Sequence, residues 1–277
     1  DSVTASTLTL EAGSNLHTET GRMVTITPEI VDPLAPGVNV SKIIIDKRED
    51  VDIYATGLIT VDAGTNAYIG SEIDMNIDHV RAGDKVRIKG AQGLYNRSTT
   101  GGPNVESKDL ILEGGGGSIG EDTTPLDGDP FNGIPFMIDL SGTSTVTARA
   151  ANDIYLCEHN LASTAGAMYV ATMFAQAGGI YLTADGSIVD GVNNDFANAE
   201  ANTIILSAMS GAIGEPEDYL EVNVLGRGTI TATARDNVRI AETDGNMYVK
   251  RVESLTGDVD LKAHMAILDA NNDPAAD

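Results

Sequence analysis

The sequence predicts an all-β fold, a β-solenoid built from tandem repeats and wound as one continuous rod. Three observations predict it. The chain repeats itself: DLILEGGGGSIGE at 109–121 recurs as TIILSAMSGAIGE at 203–215, a shift of 94 residues from Ile119 to Ile213. Short apolar-x-apolar triplets, among them Val86-Arg87-Ile88, Ile154-Tyr155-Leu156, Val238-Arg239-Ile240 and Val259-Asp260-Leu261, are separated by Gly, Asn and Asp. Aromatic residues make up only 4% of the 277 residues, with no Trp and 30 Gly, which suits narrow cores of small and β-branched side chains.

The repeat extends along the chain. KVRIKGAQGLYN at 85–96 lies opposite GIYLTADGSIVD at 179–190, AANDIYLCE at 150–158 opposite ARDNVRIAE at 234–242, Met168-Tyr169-Val170 opposite Met247-Tyr248-Val249, and GSIVDGVNND at 186–195 opposite MAILDANND at 265–273. The approximate repeats are 1–108, 109–202 and a truncated 203–277. Alternation in each triplet places the outer two residues on one face of a strand and the middle one on the other. The Ala-rich stretch 161–179 has helical propensity, but its Met-Tyr-Val matches a copy flanked by turns and strands, so a strand is expected there. Sandwich strands do not recur as tandem copies of unequal length, and propeller blades recur at about 40 to 50 residues. Stacked coils accept insertions as loops. At roughly 20 residues per coil, a repeat is about four to five coils and the rod about 60 to 70 Å long. Gly83, Gly179 and Gly257 before strands, with Asn or Asp after them, are expected to supply left-handed corners.

Forty-one acidic against seventeen basic residues give a net charge of −24, which repels nucleic acid and anionic lipid and keeps the surface solvated. The single cysteine, Cys157, aligns with Ala241 and is expected to be a small structural residue rather than a nucleophile. No apolar run approaches the roughly 18 residues of a membrane span. No leader is visible at Asp1, so any export signal is expected to lie outside the sequence or to have been removed.

The phrases GSIGE, TVTARAANDIYLCE, GGIYLTADGSIVD, TITATARDNVRIAETDGNMYV and GDVDLKAHMAILDANNDP resemble repeats of the large secreted bacterial exoproteins of the filamentous-haemagglutinin-like adhesin class. The likeness covers roughly residues 55–277; in the first 50 residues LTLEAGSNLHTE at 8–19 still resembles 110–121. The resemblance implies a right-handed parallel β-helix, exported to the bacterial cell surface and working as an extended adhesive or matrix fibre. The class's amino-terminal secretion domain is not visible in these 277 residues, which leaves the export route open.

Little catalytic chemistry is expected. His17, His79, His159 and His264 show no metal-ligand spacing. Gly114–Gly117 lacks the Lys-Ser or Lys-Thr of a phosphate loop, and neither a strand-to-helix nucleophile elbow nor an H-E-x-x-H helix is expected. Glu121, Asp122, Asp127 and Asp129 lie in an insertion that the later copy lacks, where the paired acids of a polysaccharide lyase or hydrolase would be grafted, but no basic residue accompanies them. The acidic turns DGVNND and DANND, with Asp190, Asp195, Asp269 and Asp273, read either as Asx-turn corners or as a weak Ca²⁺ site; no other cofactor is expected. Tyr68, Tyr155, Tyr169, Tyr181 and Tyr248 occupy the middle of triplets and should point outward. Of these, Tyr155, Tyr169, Tyr181 and Tyr248 are candidates for binding glycans or a neighbouring rod, with cross-strand packing the alternative. Asn39-Val40-Ser41 and Asn96-Arg97-Ser98 match the glycosylation acceptor, which is common by chance.

The expected function is a non-enzymatic module of an exported fibre or adhesin, extracellular and not membrane-embedded. Its expected partners are further repeats, end-to-end copies, or glycans on a host or neighbouring cell. A glycan-active β-helix enzyme and a Ca²⁺-stiffened binding module are the alternatives. The last copy stops in mid-phrase at NNDPAAD, so further coils or end-to-end stacking are expected to cover it.

Overall fold

The structure, a computed structural model, describes residues 3–5, 8–13, 15–16, 50–121, 134–159 and 166–271. Among them the chain is a parallel β-helix with no helical segment. Eleven strands pair in line, each parallel to the next: Val3–Ala5, Val51–Ala55, Asn66–Ser71, Lys85–Gly90, Asp109–Gly114, Thr145–Ala150, Met168–Ala175, Ala199–Ala208, Leu220–Ala234, Val238–Glu242 and Val259–Ala263. The Ala-rich stretch does form a strand, Met168–Ala175, because its apolar residues alternate against the coils above and below. Stacked positions are 19 residues apart at Asn66 and Lys85, 25 apart at Ala177 and Asn202, and 35 apart at Ser118 and Asp153, where 122–133 is inserted. Most coils are thus longer than the 20 residues expected. Eleven levels at about 4.8 Å span about 48 Å, shorter than the rod expected from the sequence.

The axis is filled by columns of like side chains. Leu94, Ile119, Ile154, Ile180, Ile204 and Ile230 stack in register, as do Ile69, Ile88, Leu112, Ala148 and Met173. All are essentially inaccessible to water. Corner side chains hold successive coils together: Asn66 Oδ1, Asp153 Oδ1 and Asn237 Oδ1 accept from the backbone N–H of Lys85, Gly179 and Asp258 at 3.2, 2.7 and 2.7 Å.

The expected corner glycines behave differently. Gly83, Gly179 and Gly257 do not adopt left-handed backbone; that conformation belongs to Gly101, Gly120, Gly142, Gly214, Gly226, Gly245 and Asn193. Gly83 and Gly257 are small because a Cβ would meet the preceding coil, at 2.5 Å from the Gly64 carbonyl oxygen and 2.4 Å from Asn237 Oδ1. At Gly179 a Cβ would instead strike the Tyr181 ring at 2.8 Å.

Outward position does not guarantee exposure. Tyr68, Arg87 and Ile111 form one outward row in register, yet they are only 1%, 7% and 8% exposed. Arg87 there pairs with Asp50 at 2.8 Å, and burial raises the Asp50 pKa while the guanidinium opposes the rise. Tyr155 is likewise covered at 7% and stacks face to face on Tyr181, centroids 4.2 Å apart. Tyr169, Tyr181 and Tyr248 are half-buried. The pleat sends these rings off the axis as expected, but stacking covers much of their surface.

Because Leu112 is enclosed by coils on both sides, Leu112→Ala should cost about 2–5 kcal/mol, whereas Leu255→Ala, 62% exposed, should cost under about 0.5 kcal/mol. Urea unfolding followed by circular dichroism measures both, and equal losses would contradict the packed axis.

Candidate functional site

Two corners 94 residues apart are built from the same hydrogen bonds. In the first, Asn96 Oδ1 accepts from the Ser98 backbone N–H at 2.9 Å and from Asn104 Nδ2 at 2.9 Å. Asn104, fully buried, also donates to the Ile77 carbonyl at 2.8 Å and accepts from the Met137 N–H at 2.9 Å. In the second, Asp190 Oδ1 accepts from the Val192 N–H at 2.8 Å and from Asn198 Nδ2 at 2.5 Å. Asn198, also fully buried, donates to the Val170 carbonyl at 3.0 Å and accepts from the Glu221 N–H at 2.9 Å. Each asparagine closes a seven-residue corner loop, 97–103 or 191–197, onto two coils. Gly120 and Gly214 carry the turn below, both at positive φ, and a Cβ at Gly214 would sit 2.2 Å from the Arg239 carbonyl oxygen.

The two corners differ in charge. Arg97 in the first makes a bidentate pair with Glu121 at 2.9 and 3.1 Å. In the second, Gly191 stands where Arg97 does, Glu215 where Glu121 does, and Glu221 where Met137 does. Asp218 takes the place of Ile134: the pair Glu215–Asp218 repeats the backbone bonds of Glu121 and Ile134. Carboxylate oxygens of Asp190, Asp218 and Glu221 lie within 4.8 Å of one another. Asp190 and Glu221 are 7% and 8% exposed, and Glu221 Oε2 is buried without a hydrogen-bond partner. Burial, then Asp190, push the Glu221 carboxyl up to about 7; burial, then Asp190, Glu215 and Asp195, raise Asp218.

Of the predicted acidic-turn residues, Asp190 lies at the centre of this cluster and Asp195 on its exposed rim. Asp269 is exposed and makes an Asx turn to the Asn271 N–H at 2.8 Å; it belongs to no acidic group among the described residues. Asp273, Asp122, Asp127, Asp129, His17 and the Asn39 tripeptide lie outside the described residues. Sequence reading missed Asp218 and Glu221, because the copies fall out of register after GSIGE and GAIGE, where one copy carries the insertion.

Other chemistry has structural partners. Gly116–Gly120 spells G-x-S-x-G, a match the sequence reading passes over; its Ser118 Oγ accepts from the Asp153 N–H at 3.2 Å and joins two coils, as Ser187 Oγ does with the Ala212 N–H at 3.0 Å. His79 contacts the Pro103 carbonyl at 3.2 Å, and His159 contacts Asp185 at 2.8 Å. Cys157 is half-buried, and burial followed by Asp185 and Glu158 pushes its thiol up to about 11, which keeps it protonated at neutral pH. A groove of about 430 Å³ is lined by Asp62, Arg81, Glu106 and Asp139, where Arg81 is held by Asp62 at 3.3 Å.

Glu158 and Glu242, equivalent in the two aligned copies, carry the strongly raised carboxyls that commonly mark an active site. Here they point into the axis at 0% and 3% exposure and accept from the Leu140 and Val224 N–H groups at 3.1 Å, each 18 residues back. Burial pushes them up to about 8 and about 7. They cap strand ends.

For Glu158 the folded value lies above the ordinary 4.5, so its contribution to stability is complete below about pH 4.5 and is lost as pH rises through about 8. Glu158→Gln keeps the acceptor oxygen and removes the titration. Its melting temperature should fall less than the parent's between about pH 5 and pH 9, a difference worth roughly 2–4 kcal/mol. Identical pH profiles would assign the titration elsewhere. Comparison with family models, curated proteins and solved structures gives no match for this chain.

Proposed function

We propose that the chain is a structural repeat module of an exported, cell-surface bacterial fibre, working in adhesion or matrix formation. The observation that carries the reading is the recurrence of one asparagine-clasped corner on a parallel stack of coils among the described residues. Such an architecture grows in length by adding coils, and its surface repeats rather than converging on one site.

The candidate carboxylates fit this reading. Glu158 and Glu242 are buried in the axis, and Asp62 of the open groove is paired with Arg81. Localisation outside the cell rests on the sequence resemblance and on a formal net charge of −24 that keeps a long rod solvated.

Antibody raised against the 277-residue chain should label extended material on intact, unpermeabilised cells, and surface protease should remove the label. Labelling only after permeabilisation would overturn the surface assignment. Incubation with neutral and acidic polysaccharides should release no new reducing ends or unsaturated products; release by the purified chain would make it an enzyme.

A further inference from the structure

We propose that Asp190, Asp218 and Glu221 form a calcium site that staples the 191–197 corner loop to the next coil. The internal repeat supplies the control. The same clasp is closed in the first copy by Asn96, Asn104 and the Met137 N–H, with Arg97 neutralising Glu121. The clasp therefore needs no carboxylate at these positions. In the second copy three neutral positions, Asn96, Ile134 and Met137, become Asp190, Asp218 and Glu221, and the only cation of the corner becomes Gly191. The backbone geometry is retained while three negative charges are added and one positive charge is removed.

Such a substitution pattern is costly for a corner that only has to turn. Carboxylates whose oxygens lie within 4.8 Å repel, and the charged groups acting on Asp218 and Glu221 are all carboxylates. Glu221 Oε2 is the second observation: it is buried, lacks a donor, and belongs to a side chain in the cluster itself. Buried carboxylate oxygens require a donor, a proton or a metal ion. Asp190 also cannot reproduce the bond that Asn96 donates to the Pro135 carbonyl at 2.9 Å, because a carboxylate has no proton to give.

Calcium is the ion that matches. The donors are hard oxygens without histidine or thiolate, and calcium accepts six to eight oxygens in irregular geometry, including water. Asp218 is half-exposed, with Asp195 and Glu215 exposed beside it, so the site opens to solvent and has acidic entry groups. The ligands come from both sides of one coil boundary, Asp190 before the corner loop and Asp218 and Glu221 on the coil that stacks upon it. Binding therefore couples directly to coil stacking.

The test uses the full 277-residue chain, stripped with chelator and studied at about 0.15 M NaCl, which screens the general effect of its charge. Addition of CaCl₂ should raise Tm by several degrees, and calorimetric titration should show one saturable site per chain. Asp190→Asn and Glu221→Met restore the residues of the first copy, so the fold is retained. In the chelated state these variants should melt at or above the parent, and the calcium-dependent rise should be lost. Two results would overturn the site: no calcium-dependent rise in the parent, or an undiminished rise in the double variant.

Discussion

Parallel stacking in register is the constraint on which the rest of this structure depends. Each coil hydrogen-bonds to the coil before it, so every side chain sits about 4.8 Å above a partner of the same orientation. Apolar residues satisfy this readily, and Ile or Leu recurs down whole columns. Charges do not. Two like charges at that spacing repel by about 3 kcal/mol at an effective dielectric of 20. One outward row alternates in sign, Lys89, Glu113 and Arg149, whereas the row Glu11, Asp62, Arg81, Glu106 and Asp139 sets a single cation between two pairs of acids.

The amides and carboxyls of the interior each take at least one backbone partner at Asn104, Asn198, Glu158 and Glu242. Asn104 and Asn198 use both faces of their amides, donating to one coil and accepting from another. Glu158 and Glu242 occupy strand ends, where each takes a backbone N–H that the regular ladder leaves over. An amide meets these demands without charge, and a carboxylate meets them by holding a proton or by gathering cations. This distinction separates the neutral corner at Asn96 from the acidic corner at Asp190.

The fold was legible because its signal is repeated. Alternation in Ile154-Tyr155-Leu156 or Val238-Arg239-Ile240 fixes which residues face the axis, and the 94-residue shift places equivalent corners over one another. Coil length was less legible, because insertions at corners leave no periodic trace; that is why the rod is shorter than a 20-residue coil implies. Exposure was less legible still. The pleat fixes that Tyr68 and Tyr155 leave the axis, but whether an outward ring meets water depends on chain distant in sequence, as Asp50 against Arg87 illustrates. Within the acidic corner, Asp190 and Asp195 stood out in their turn, whereas Asp218 and Glu221 are brought to it only by stacking.

A stack of this kind is coupled between neighbours and nearly independent beyond them. Repulsion concentrated at one corner therefore acts on the loop 191–197 and the coil that receives it, and is not spread over the whole molecule. The retained clasp of Asn198 and the left-handed Gly214 hold the backbone there in the geometry of the neutral copy. What differs between the copies is the chemistry mounted on a common frame. A duplicated corner has two tasks to divide: one copy, closed by amides and an Arg–Glu pair, keeps coils in register, while the other keeps the asparagine clasp and carries an uncompensated group of carboxylates. Division of this kind lets a repetitive rod acquire a local property without altering the period that builds it.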